Sequence, residues 1–202
     1  MSIAQRVLPP PQPPIHNGVR LLTADDLAVL PDDLPSGPVI YELDNGRLVV
    51  MPLPGDHHGA VESNLASELK FQGEKLGHGK VRSGDVGIIL WRNPDRVVGA
   101  DVVFIANSRL PLRLSKQGWL ETIPNLIAEV RSKNDSWTMI LKKVKDYLKA
   151  GVQLVWVADP KKERVRAYRR GRKPQVFTTK TSLTAEDIVP GLRIPVADVF
   201  NI

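Results

Sequence analysis

Two acidic residues interrupt apolar, strand-like runs: Asp101 in VVGADVVFI and Glu129 in NLIAEVR. A carboxylate taken out of water without a partner is costly, so both positions call for a cation, either a metal ion or a paired basic side chain. The second run leads into SKNDS, which reads as a loop and helix cap, and then into WTMILKKVKDYLKAGV, an amphipathic helix carrying several lysines. Acid on one strand, acid on the next and then a basic helix is the order of parts in a metal-dependent phosphodiesterase core. Asp101 and Glu129 offer the hard oxygen ligands that suit Mg2+. Such an ion acidifies a bound water and stabilises charge developing on a phosphate. The scaffold alternative is a buried salt bridge from the two acids to Arg131 or Lys143, without turnover.

Helical phase sorts the lysines. At about 100° per residue, Trp137, Ile140, Leu141, Val144 and Leu148 make the buried stripe. Lys142, Asp146 and Lys149 point outward and Lys145 lies on the opposite flank, whereas Lys143 sits beside Ile140 and Tyr147 and can lean back over a sheet. There it is placed to neutralise a phosphoryl transition state. The plainer reading is a stem that snorkels past the core. Asp135 reads as a turn or N-cap residue of this helix.

The elements that must position these groups follow from turn and period signals. Residues 1–20 contain PPPQPP, which lacks the donors for a ladder or helix and predicts a flexible or polyproline-like arm. Thr23 caps a short helix ending at Leu30. VIYELDNGRLVVM reads as a hairpin turning at Asn45 and Gly46. PLPGDHHG follows as a loop, and apolar residues at 61, 65, 66, 69 and 76 predict a helix from Gly59 to Leu76. KVRSGDVGIIL, RVVGADVVFI and NLIAEVR are strand-like. Gly151 caps the lysine helix, VQLVWVAD is a nearly continuous apolar strand, and residues 162–179 form a second hairpin with RRGRK at its tip. Ile188, Leu192, Ile194, Val199 and Phe200 return the C-terminal piece to the core. Strands first, then strand, helix and strand predict an α/β fold with a mixed sheet flanked by helices. The expected organisation is an arm over 1–20 and one domain over 21–202.

Bulk properties narrow the partners. The 202 residues are 42% hydrophobic and 25% charged, ordinary for one globular domain. No apolar run reaches the ~18 residues of a membrane span and MSIAQRVLPP lacks a signal-peptide core, so a cytoplasmic location is expected. The absence of cysteine excludes disulfides and thiolate zinc sites. A net charge of +6 and a pI of 9.6 suit a polyanion such as nucleic acid, although solubility alone also accounts for them. No P-loop, dinucleotide-binding glycine pattern or nucleophile elbow is present.

YELDNGRLVVMPLPGDHHG, ADVVFI, NLIAEVRSKNDSW, KVKDYLKAGVQLVWVADP and LTAEDIVPGLRIPVADVF resemble, in order and spacing, the Uma-type restriction endonucleases of the PD-(D/E)xK nuclease superfamily, from about residue 38 to 202. The resemblance implies a restriction endonuclease-like core with Asp101 and Glu129 as metal-binding acids. It implies Lys143 as the active-site lysine, moved from strand to helix, and Glu42 and His58 as groups facing the same cleft. His58 is equally readable as a hydrogen-bonding residue at a helix start, with His57 exposed beside it. Two departures stand out: Ala100 replaces the usual proline before the first acid, and Arg131, which cannot act as a base, replaces the lysine two residues after the second. The function implied is Mg2+- or Mn2+-dependent hydrolysis of DNA phosphodiesters by a homodimer. The alternative is a non-catalytic nucleic-acid-binding or assembly module that keeps the nuclease fold.

Overall fold

Turn chemistry sets the first long hairpin. In a computed structural model describing residues 15–16, 19–31, 33–115, 118–133 and 135–202, β4 (Gly37–Asp44) pairs antiparallel with β5 (Arg47–Pro52), Asp44 opposite Arg47. The two-residue loop has φ of 52° at Asn45 and 79° at Gly46, the conformation that lets a tight turn follow strand twist. Ahead of it lie β1 (Ile15–His16) and β2 (Val19–Arg20), then α1 (Ala24–Leu27) and β3 (Asp33–Leu34). Thr23 caps α1 as expected, in a reciprocal box with Asp26. The pairing of β1 with β2 departs from a ladder-free arm over residues 1–20, because the backbone beyond the prolines has free donors and acceptors. The PPPQPP segment lies outside the described residues.

Helix α2 (Asp56–Leu69) begins three residues before the sequence pattern places it, so His57 and His58 stand in its first turn and not in a loop. Gly55 is its N-cap, and Asp56 complements the positive end of the helix dipole. One face buries His58, Val61, Leu65 and Leu69. A π-helical turn over Lys70–Glu74 continues it and lays Gly73 on Phe104, where a Cβ would meet the ring at 2.7 Å. The chain has left the helix by Leu76, which is exposed and not on the buried stripe.

The next two strands, β6 (Gly79–Trp91) and β7 (Arg96–Ala106), form a long antiparallel pair with a register shift between Ser83 and Val86. Then β8 (Leu126–Val130), α3 (Trp137–Ala150) and β9 (Leu154–Asp159) make the predicted parallel crossover, with Glu129 beside Val157. Gly151 ends α3 at φ 110°, a left-handed cap. The second hairpin is β10 (Arg164–Tyr168) and β11 (Gln175–Thr178); β12 (Ser182–Leu183), β13 (Ile194–Pro195) and α4 (Val196–Val199) close the chain.

Among the described residues nine strands make one mixed sheet, ordered β11-β10-β9-β8-β7-β4-β3 with β5 on β4 and β6 on β7. Its two faces are covered by different parts. Val61, Leu65 and Leu69 of α2 and the C-terminal Leu183, Val189, Leu192 and Val199 pack on Val102, Phe104, Leu126 and Trp156. Ile140, Val144 and Tyr147 of α3 pack on Val103, Ile127, Val155 and Val157. Burying each large aliphatic side chain contributes roughly 1.5–3 kcal/mol. Trp137, Leu141 and Leu148, expected inside the stripe of α3, are only half-buried, and Tyr147 takes the central place.

Candidate active site

The β7–β8 register sets Val102 opposite Ala128 in an antiparallel pair, so one step further along Asp101 stands opposite Glu129. Cross-strand neighbours of this kind share a face. Both acids are buried, 4% and 3% exposed. Asp101 Oδ2 accepts a 2.6 Å hydrogen bond from the Val130 N–H. Glu129 Oε1 accepts one of 2.6 Å from the Tyr147 hydroxyl. Burial pushes the Glu129 carboxyl up to about 8, with the Lys143 charge opposing and the Asp101 charge reinforcing the rise.

Lys143 does lean over the sheet. Its Nζ donates to the Gly99 carbonyl at 2.8 Å and lies 3.1 Å from Glu129 Oε2 and 3.2 Å from Glu42 Oε1. Burial alone would lower its pKa, but the Glu129, Tyr147 and Glu42 charges outweigh that and hold it well above the usual lysine value. Glu42, on β4, is tied by the Gly99 N–H at 3.1 Å and by Arg96 Nη1 at 3.4 Å. Arg96 in turn holds Asp146 of α3 at 2.9 Å, and Lys142 reaches Asp44 at 2.6 Å. The helix carrying Lys143 is therefore fixed to β4 and β7 by its outward residues as well as by its apolar face.

On the other flank of Asp101 stands His58. Its Nε2 is 3.3 Å from Asp101 Oδ1 and 3.9 Å from Glu62 Oε2, while Nδ1 meets Ser132 Oγ at 3.0 Å. Burial pulls the imidazole pKa down, but contact with Asp101 and the charges of Glu62 and Asp85 leave it raised. Burial also raises Glu62 and Asp85, each reinforced by Asp101. Asp85 reaches the site through the β6 irregularity, with φ of 91° at Gly84 and 52° at Asp85; such a bulge re-aims a side chain.

Other sequence candidates fall elsewhere. Arg131 turns from both acids toward Asp159 at 3.6 Å, the Asp135 carbonyl at 2.9 Å and the Trp137 ring, so the salt bridge to Glu129 is made by Lys143, while Asp101 meets His58. Asp135 is a turn residue accepting from the Ser132 N–H, and Ser136 is the N-cap of α3. His57 is exposed. At the second hairpin tip Arg170, Arg172 and Lys173 are exposed, while Arg169 is committed to Asp187 at 2.7 Å. Glu62 and Asp85 went unread in the sequence. The His58/Glu62 spacing of one helical turn was a usable signal for the first, and Gly84 inside a strand-like run hinted at the second.

The profile of the Uma2 family, described as a putative restriction endonuclease, matches residues 9–197. The chain belongs to the Uma2 family. The match starts inside the proline-rich segment, earlier than the motif resemblance near residue 38. No curated protein sequence matches the chain. Among solved structures, it resembles a putative nuclease belonging to DUF820 from Anabaena variabilis ATCC 29413, with a TM-score of 0.70 at 20% identity, over 87% of this chain and 96% of that one. That likeness establishes the fold, a nuclease-like mixed sheet flanked by helices.

In this Uma2 chain the residues present fit a divalent ion. Glu42, Glu62, Asp85, Asp101 and Glu129 bring carboxylate charge close together, Lys143 neutralises only part of it, and Nε2 of His58 is buried without a hydrogen-bond partner among the described residues.

Proposed function

We propose that the protein is a metal-dependent endonuclease that hydrolyses DNA phosphodiester bonds, working as a homodimer in the cytoplasm with Mg2+ or Mn2+. The observation that carries this reading is a single lysine bridging two buried carboxylates, Glu42 and Glu129, beside a third, Asp101, with one oxygen fixed by a backbone N–H and the other in contact with His58. Asp101 and Glu129 are the ligands assigned to the ion. Bound there, the ion would polarise a phosphodiester and acidify a water.

The protein's own groups supply the rest. The Val130 N–H fixes Asp101 Oδ2 and leaves Oδ1 facing His58 Nε2. Tyr147 holds Glu129 in one rotamer, and the Gly99 carbonyl together with Glu42 holds the Lys143 ammonium. A fixed cation beside the acids favours charge that develops on phosphoryl oxygens, since its orientation costs nothing at the moment of reaction. His58 meets the free side of Asp101, its Nε2 3.3 Å from Oδ1. The net charge of +6 favours a polyanionic substrate, and no helix among the described residues is long and apolar enough to cross a membrane. Two chains would provide one site for each strand of a duplex.

The test is cleavage of plasmid and short linear DNA with Mg2+, Mn2+ or chelator. Cutting is expected with the ions, absent with chelator, and abolished in Asp101→Asn. Intact DNA under every metal, with duplex, branched and single-stranded substrates, would overturn the reading in favour of a non-catalytic binding module.

A further inference from the structure

Three residues around Asp101 share one arrangement: each has one polar atom held by a separate partner and another turned toward a common point. His58 Nδ1 is engaged by Ser132 Oγ at 3.0 Å, Glu62 Oε1 accepts from the Gly84 N–H at 2.7 Å, and Asp101 Oδ2 accepts from the Val130 N–H at 2.6 Å. The remaining atoms converge, with Nε2 of His58 3.3 Å from Asp101 Oδ1 and 3.9 Å from Glu62 Oε2. One ligand atom from each residue lies within 4.8 Å of the other two. His58 is 9% exposed, and its Nε2 is buried without hydrogen-bond geometry to either acid. A buried imidazole nitrogen 3.3 Å from one carboxylate and 3.9 Å from another, without hydrogen-bond geometry to either, is a donor set awaiting a cation. The Ser132 contact is the kind of outer partner that orients a ligating histidine.

We propose that His58, Glu62 and Asp101 form a binding site for a divalent first-row transition ion that accepts nitrogen, with Mn2+ as its probe, beside the Asp101–Glu129 pair and sharing Asp101 with it. The proposal rests on the reading of Asp101 as a metal ligand and adds a residue, Glu62, and a metal class. Glu129 stands apart from this triad: its oxygens face Tyr147 and Lys143, and it is not among the three residues whose ligand atoms lie within 4.8 Å of one another. An imidazole among carboxylates favours transition ions over Mg2+, which prefers all-oxygen shells and keeps its waters. The i, i+4 spacing of His58 and Glu62 on α2 makes two of the ligands rigid before any ion arrives.

The experiment is Mn2+ titration of the full chain by electron paramagnetic resonance, with pulsed detection of nitrogen coupling to bound Mn2+. The parent should bind a Mn2+ that shows nitrogen coupling, and about a hundredfold excess of Mg2+ should leave most of it in place. His58→Gln should lose the coupling. Glu62→Gln keeps an acceptor for the Gly84 N–H and so should fold as the parent does, yet weaken Mn2+ binding at least about tenfold. Glu129→Gln should change the affinity of the nitrogen-coupled ion by less than about threefold, since its amide oxygen is not in the shell. Absence of nitrogen coupling in the parent, or parent-like affinity in Glu62→Gln, would overturn the site and leave His58 as an imidazolium paired with Asp101. A protein that binds Mn2+ in this way but cuts no nucleic acid would overturn the nuclease reading and leave the site standing.

Discussion

Lys143 Nζ and Glu129 Oε2 lie 3.1 Å apart, joining the middle of α3 to β8 inside the core. The same ammonium serves Glu42, so its removal takes the countercharge from Glu129 and leaves Glu42 with Arg96 alone. Lys143→Met should lower unfolding free energy in urea by about 3–5 kcal/mol, the usual effect of breaking a buried pair. Adding Glu129→Gln to that variant should recover part of the loss. Equal stability of parent and Lys143→Met would show that the ammonium is solvated. In the cleavage assay Lys143→Arg should retain more activity than Lys143→Met.

Arg131 occupies the position where the superfamily pattern places its lysine, but its guanidinium packs on Trp137 and meets Asp159. Arg131→Ala should therefore leave the cleavage rate within about threefold of the parent while costing about 1 kcal/mol of stability from the lost hydrogen bonds to the Asp135 carbonyl. Loss of cleavage in Arg131→Ala with full activity in Lys143→Ala would reverse the assignment.

Asp44 is expected to give an acid-side signature. Burial raises its carboxyl, but Lys142 and Arg96 outweigh that and hold it below the ordinary aspartate value. A carboxyl depressed in the folded state adds stability that is full above its unfolded pKa and lost as pH falls through the folded one. The stability margin of the parent over Asp44→Asn should therefore be steady near neutral pH and shrink below about pH 4. Its size should be about 1 kcal/mol or less, because Lys142 is half-exposed. A margin that grows in acid would contradict the sign.

Arg170 and Arg172 are exposed at the tip of the β10–β11 hairpin. If they meet phosphates, the dependence of duplex affinity on salt should flatten by about 0.9 log unit per log unit of salt for each arginine replaced by alanine. An unchanged slope in the double variant would make the tip a solvated turn.

The elements with local signals were legible from the chain. Alternation and the Asn45-Gly46 turn marked the β4–β5 hairpin, and a 3.6-residue period placed Lys143 beside the buried stripe of α3. Acids inside apolar runs marked Asp101 and Glu129, since burial without a countercharge is too costly to be incidental. Helix α2 began earlier than predicted because Gly55 offers no side-chain cap to announce its start. Tertiary structure alone decided the rest. Register between β7 and β8 set Asp101 opposite Glu129, and packing against β7 chose Lys143 over Arg131 as the cation of Glu129. The β6 bulge turned Asp85 inward, and the seating of α2 on the sheet carried Glu62 beside His58. Period and turn type depend on neighbours in sequence, whereas a shared cation site depends on which distant side chains meet, and only the packed sheet determines that.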